Sequence, residues 1–140
     1  MSYSDVIEGL HERFALVTEA TLTLVVGEPT AIQQAPLLYT LLEGYTRQYD
    51  EEVVRVTYRS LHRLCIHWQD NANAETELAA LVNAIPAIVE ADPRLGRRLY
   101  ARGDSKVSAG EAGWTTIGGT EYRTLDFHSE VLEVGAVGVL

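Results

Sequence analysis

Residues 53–69 alternate between two kinds of side chain along their whole length. One side is mainly apolar and holds Val54, Val56, Tyr58, Leu64, Ile66 and Trp68, with Ser60 and His62 in the middle. The other side is mainly polar and holds Arg55, Thr57, Arg59, Arg63 and His67, with Leu61 and Cys65 among them. A period of two in β-branched and aromatic residues predicts a strand. Since strands usually run ~5–6 residues, either a bulge near Ser60 divides it or part of it projects beyond the domain.

Length and composition indicate one soluble globular domain over residues 1–140, because 46% of the residues are hydrophobic and 22% are charged. The single cysteine, Cys65, excludes an internal disulfide and most cysteine-based zinc sites. A formal charge of −9 argues against a general nucleic-acid binder, which needs a basic surface. The N-terminus is acidic where a signal peptide would be basic, so we expect the protein in the cytoplasm or in an assembly made there.

Two segments have the periodicity of helices. Residues 4–19 are predicted to form an N-terminal helix that Ser4 caps and that buries one apolar stripe of Ile7, Leu10, Phe14 and Val17. A central helix is predicted over residues 73–91, starting at an Asn73 cap. Pro86 lacks an amide hydrogen, so we expect it to interrupt this helix with a kink or a break into two.

Residues 37–69 are predicted to form a long antiparallel hairpin. Its tip consists of Tyr49, Asp50, Glu51 and Glu52. No Asn-Gly or Asp-Gly pair sets its register. We place the alternating residues Leu37, Tyr39, Leu41 and Tyr45 on the face that carries Val54, Val56 and Leu64.

Residues 97–134 are expected to close the sheet, followed by an apolar tail at 135–140. Short strands are predicted at 99–102 and near Val107, and Gly118-Gly119 suits a tight hairpin turn after them. Small and polar residues up to Gly113 predict a mobile assembly loop containing Arg102, Gly103, Asp104, Ser105 and Lys106. The resulting class is α+β, a mostly antiparallel sheet with a long β-hairpin, packed against the N-terminal helix and the central Pro-interrupted helix.

The chemistry-bearing residues form no recognisable site. Of the four histidines, His62 and His67 fall on opposite faces of one strand and so cannot bind one metal ion together. No G-x-S-x-G and no phosphate-binding glycine pattern is present. We therefore assign no catalytic residue, cofactor or metal. A small enzyme with a site around Asp104 and Glu111 is a hypothesis that we favour least.

A row of basic residues on the long strand is the one candidate binding surface. It consists of Arg55, Arg59, Arg63 and His67. The simplest interpretation is a solvated sheet face. The alternative is a subunit interface or the wall of a central channel, since arginine suits ion pairs between chains.

Two runs, VTYRSLHRLCIHWQDNANAETELAALVNAIPAIVEADPRLG and GWTTIGGTEYRTLDFHSEVLEV, give the chain a resemblance to tail-terminator and head-to-tail joining (neck) proteins of long-tailed bacteriophages. The shared layout is an N-terminal helix, a long hairpin, a helix and a closing strand. The resemblance implies a ring, commonly a hexamer, at the head-proximal end of the phage tail. Such a ring stops tail-tube polymerisation and joins the tail to the head connector, while DNA passes through its lumen unread.

This resemblance carries no catalytic signature, so it transfers no functional residue to the chain. It implies a location in the virion, in contact with the tail tube protein and the neck proteins and with no membrane. The second hypothesis is a small intracellular protein-binding module that uses the arginine face of the long strand.

Overall fold

The computed structural model describes residues 2–68, 71–96, 99 and 103–138. Its elements in chain order are α1 (Tyr3–Phe14), β1 (Thr23–Val26), β2 (Leu37–Asp50), β3 (Val53–His67), α2 (Asn71–Glu90), β4 (Asp104–Ile117) and β5 (Thr120–Ala136). The strands form one sheet in the order β1-β2-β3-β5-β4. β1 runs parallel to β2, and the other neighbours are antiparallel. The predicted α+β class is confirmed.

Both helices pack against the same face of the sheet, called here the helix face. Its core joins Leu10 and Phe14 of α1, Leu81 and Ile85 of α2, and Phe127 of β5, all buried. The opposite face, called here the open face, carries a smaller cluster of Leu37, Tyr39, Cys65, Ile117 and Tyr122, with Ile32 from the β1–β2 connection packed on it. Burial there raises the pKa of the Cys65 thiol to about 12, so this cysteine is an inert core residue.

The N-terminal helix is shorter than predicted and has a different cap. Ser2, not Ser4, is the N-cap, and it forms a capping box with Asp5. The helix ends at Phe14 because Leu16 and Val17 donate to carbonyls three residues back, which tightens the chain into turns. The predicted apolar stripe of Ile7, Leu10, Phe14 and Val17 is nevertheless buried.

The central helix is continuous through Pro86. The predicted break into two helices is therefore wrong. It begins at Asn71, and Asn73 lies inside it rather than capping it. Leu81, Ile85 and Val89 are all buried on both sides of the proline. Burial of these three side chains contributes roughly 1.5–3 kcal/mol each. That sum exceeds the ~3 kcal/mol that an interior proline costs.

The long hairpin is present, but the predicted face of Leu37, Tyr39 and Leu41 is wrong. Leu37, Tyr39 and Leu41 pair with Cys65, Arg63 and Leu61 on the open face. A β-bulge at Glu43 then reverses the alternation of β2, which moves Tyr45 to the helix face opposite Tyr58. The bulge lies in β2, opposite the step from Arg59 to Ser60, whereas β3 itself is continuous over Val53–His67. It divides the hairpin into a proximal half, residues 37–42 and 60–67, and a distal half, residues 44–50 and 53–59.

The segment predicted as a mobile loop is mostly regular strand. Asp104, Ser105 and Lys106 begin β4, which pairs with β5 as far as Ile117. Gly103 precedes the strand and Arg102 lies outside the described residues, as do 100 and 101 of the strand predicted at 99–102. Leu99 is buried outside any strand. Composition misled here because pairing with β5 over a long register orders small residues that have little strand preference of their own.

Candidate functional site

Strand β2 has an edge that no other strand covers within the described residues. β1 pairs only with residues 37–40 of β2, so residues 41–50 form an open edge. At the far side of the sheet β4 is the other border. An uncovered strand presents backbone N–H and C=O groups that can pair with another chain. Besides the outer edge of the four-residue β1, the described part of the sheet therefore has two longer borders where a further strand can be added, residues 41–50 of β2 and β4.

Exposed apolar side chains line the open edge of β2 on the helix face. They are Val26, Leu42, Tyr45 and Tyr49, with 70%, 53%, 48% and 65% of their surface exposed. Their partners in the register, Thr40, Ser60, Tyr58 and Val54, are buried helix-face residues, which places all four on that face. We call this row the apolar strip. Arg47 interrupts the strip between Tyr45 and Tyr49, with its guanidinium 5.6 Å from the centre of the Tyr49 ring. Scattered apolar residues are normal on a surface, whereas several along one strand edge indicate a binding surface.

A groove on α1 continues the apolar strip. It has a volume of about 410 Å³ and is lined by Tyr3, Ser4, Ile7, Glu8, His11 and Val26. The Tyr3 ring lies 5.7 Å from that of Tyr58, which lies 5.4 Å from that of Tyr45. The Tyr3 hydroxyl is also 2.9 Å from Ser60 Oγ. These contacts hold the wall of the groove in place before any partner arrives.

The predicted basic row lies on the open face, but two of its arginines are neutralised within the subunit. Arg63 donates to Asp126 through Nε at 2.7 Å and Nη2 at 3.0 Å, and Nη1 lies 3.3 Å from the Tyr39 hydroxyl. The hydrogen bond to Asp126 raises the pKa of Arg63. Arg55 donates to Asp50 at 3.2 Å. The structure therefore removes most of the positive charge on which an acidic partner would depend.

Arg59 and His67 complete the row in different settings. Arg59 is opposite Glu130 in the register and lines an open-face cleft of about 240 Å³. The cleft pairs the two bases Arg59 and Lys106 with the two acids Glu43 and Glu130, and its other lining residues are Ser108, His128 and Ser129. His67 is exposed, with its ring 5.4 Å from that of Tyr122. The open face is thus charged but balanced in sign.

The cleft owes its shape to a glycine in β4. A β-carbon at Gly110 would lie 2.9 Å from the His128 ring, closer than real contacts allow. His128 of β5 lies between the two bulges, since its Nδ1 is 2.7 Å from Oε1 of Glu43 in the β2 bulge and its ring lies against Gly110 in the β4 bulge.

The predicted hairpin tip is a tight turn at Glu51 and Glu52, with Tyr49 and Asp50 still in β2. Glu51 adopts a left-handed backbone with φ of 55°, which costs a non-glycine residue ~1 kcal/mol. The Glu52 carbonyl accepts from Val137 N at 2.9 Å, so the residue after β5 is tied to the tip.

Asp104 and Glu111, the acids of the enzyme hypothesis, are not brought together. They stand seven positions apart in one extended strand, which separates them by roughly 20 Å. No group of three potential metal ligands exists among the described residues.

Sequence reasoning missed the apolar strip and a buried acid. Val26 and Leu42 were unremarkable in sequence because the strip arises only where β1 ends and β2 bulges. Glu133 occupies a helix-face position of β5 and is fully buried, and neither carboxylate oxygen has a hydrogen-bond partner in the described part of the chain. The alternation of residues in this strand could have revealed the buried acid, because Glu133 falls in the same inward-facing series as Phe127 and Val131.

None of the helices in the described ranges has the length and apolar character needed to cross a membrane. No protein-family model matches the chain, and no curated protein is detectably similar to it in sequence. The geometry of the site therefore carries the functional argument.

Proposed function

We propose that this protein is a structural subunit of a ring at the head-proximal end of a phage tail, where it ends tail-tube growth and joins the tail to the head connector. The observation that carries this proposal is the uncovered β2 edge at residues 41–50, together with the apolar strip. Such a surface suits a subunit that is completed by neighbours.

The two borders of the sheet support a ring in particular. Edges on opposite sides of one subunit join head to tail, and head-to-tail contacts close into rings when the rotation between subunits permits. A contact through one surface alone would stop at a dimer.

The charge balance of the open face fits the wall of a channel for DNA. Arg55 and Arg63 are each paired with an acid of the same subunit. A wall rich in unpaired arginines would bind the phosphate backbone and resist the passage of DNA. The balance also disfavours a binding module for acidic proteins, which would need that charge available.

The test is tail-tube growth. The full chain is added to a polymerising tail-tube protein encoded in the same genome, and tube lengths and ends are measured by electron microscopy. We expect shorter tubes that carry a ring with a central channel at one end. Unchanged tube lengths with bare ends would contradict the proposal.

A further inference from the structure

The directions of the strands determine how two subunits can join. β2 and β5 run one way, while β3 and β4 run the other, because each of the pairs β2–β3, β3–β5 and β5–β4 is antiparallel. Rotation about an axis along the strands preserves these directions. The β4 of a neighbour rotated in this way therefore arrives antiparallel to β2, with its helix face on the same side as that of its new partner.

β1 limits where this pairing can occur. It already covers residues 37–40 of β2, so a neighbour's β4 has access only to residues 41–50. Within one subunit Leu42 shares a row with Ser60, Ser129 and Val107. To pair along β4 beyond Val107, the neighbour must be displaced along the strands. A closed sheet requires a stagger of this kind between its strands.

The side chains on the helix face of the two borders are complementary in size. The open edge of β2 carries the bulky Leu42, Tyr45, Arg47 and Tyr49. On the same face β4 carries the small, exposed Ala109 and Ala112, and Trp114 beyond them packs against Trp68. Bulky residues opposite small ones allow two layers to interdigitate without a gap. On the open face Lys106 of β4 has the opposite charge to Glu43 and Asp50 of the β2 edge.

We propose that β4 of a second copy of this chain pairs antiparallel with residues 41–50 of β2 and covers the apolar strip. This inference rests on the proposed ring and names its interface. Repetition of this contact gives one continuous sheet around the assembly, since each copy uses β2 towards one neighbour and β4 towards the other.

The experiment uses one charged substitution on each border of the full-length chain. Leu42→Lys places a charge on the β2 edge, and Ala112→Lys places one on β4, since inward charges prevent edge pairing. Leu16→Lys is the matched control, because Leu16 is equally exposed at 54% but lies outside both borders. Light scattering on a sizing column gives the mass across a concentration series, and circular dichroism verifies folding. Tyr49→Lys replaces Leu42→Lys if the latter fails to fold.

We expect wild type and Leu16→Lys to form the same closed oligomer. Each border variant alone should remain monomeric at concentrations at least tenfold above the wild-type midpoint. An equimolar mixture of the two border variants should form dimers and nothing larger, because only one intact pair of borders exists in the mixture.

Three outcomes would overturn the inference. They are wild type monomeric at every concentration, a mixture that stays monomeric, and loss of assembly in one border variant only, which would indicate pairing of β2 with β2 or of β4 with β4. The proposed function fails separately. Rings that depend on both borders but leave tube growth unchanged would support this interface and contradict the tail-ring role. A monomer that still caps tubes would support the tail role and contradict this interface.

Discussion

The two halves of the β2–β3 hairpin share the same strands but differ in what surrounds them. In the proximal half, α1 covers the helix face. The open face is closed by the small cluster that contains Tyr39 and Cys65. In the distal half, β3 still buries Val54 and Val56, whereas β2 exposes Tyr45 and Tyr49. A strand flanked on both sides stays buried, and a border strand does not. The proximal half therefore supports the fold, and the distal half is available for contacts with other chains.

The buried polar residues sharpen this contrast. In the proximal half His62 is fully buried, with Nδ1 2.7 Å from Thr40 Oγ1 and Nε2 2.7 Å from Ser129 Oγ, and Thr40 Oγ1 is 2.8 Å from His11 Nε2. Every polar atom of this ring has a partner. In the distal half, Val56 of β3 is paired with Glu133 of β5. The buried carboxylate of Glu133 has no hydrogen-bond partner among the described residues.

The largest predicted effect is that of His62→Ala in the proximal half. It removes two buried hydrogen bonds and the edge-on contact with Phe14, whose ring centre is 5.1 Å away. We expect a loss of ~3 kcal/mol in the free energy of unfolding, measured by urea denaturation. The control is His67→Ala, an exposed histidine of the same strand, which should change stability by less than ~0.5 kcal/mol. Equal losses of stability in the two variants would contradict the structural role assigned to His62.

The second prediction compares two arginines of the open face. Arg63 and Asp126 are largely buried, with side-chain exposures of 30% and 20%, whereas Arg55 and Asp50 are exposed. Arg63→Ala removes the bidentate partner of Asp126 and should lower the free energy of unfolding by ~2 kcal/mol. Arg55→Ala should cost ~0.5 kcal/mol or less, and this small cost should vanish in high salt. A salt-sensitive loss of equal size at both positions would contradict the assignment.

The third prediction concerns pH and the distal half. Burial raises the pKa of Glu133, so the folded chain binds this proton more tightly than the unfolded chain. Stability from this residue is therefore greatest below the ordinary glutamate pKa and falls as the pH rises through the raised value. Glu133→Gln removes that decline and should raise stability at neutral pH by on the order of 1 kcal/mol. Urea midpoints of the two proteins should converge towards pH 4 and separate above it.

His62 provides the opposite slope as an internal check. Burial lowers its pKa to about 3, so the unfolded chain gains a proton below the ordinary value of 6.5 while the folded chain does not. Its contribution to stability is thus lost as the pH falls from 6.5 towards 3. The Glu133→Gln protein should keep this acid-side loss. If it loses stability on the alkaline side as wild type does, Glu133 is not the group responsible.

The smallest predicted effect on stability is that of Tyr49→Ser at the distal edge. The side chain is 65% exposed, and its loss should change the free energy of unfolding by less than ~0.5 kcal/mol. The same substitution should weaken self-association, measured by light scattering, because it shortens the apolar strip. A marked drop in stability with unchanged association would reverse the roles assigned to the two halves.

Features with a short repeat in sequence were predictable. The alternation of residues 53–69 placed the buried Val56 and Leu64 opposite the row of Arg55 and Arg63, as the structure has them. The turn at Gly118-Gly119 followed from the positive φ that both glycines adopt. Local backbone geometry alone imposes these patterns, so a single segment of sequence contains them.

The sequence by itself therefore determined the class of the fold, the long β3 strand and the absence of any familiar catalytic motif. Only the tertiary structure decided the bulge at Glu43, the continuous helix through Pro86 and the ordering of β4. It also decided the parallel strand β1, whose end creates the open edge. Each of these depends on pairing or packing between residues far apart in the chain, and the energies of such contacts override local preference.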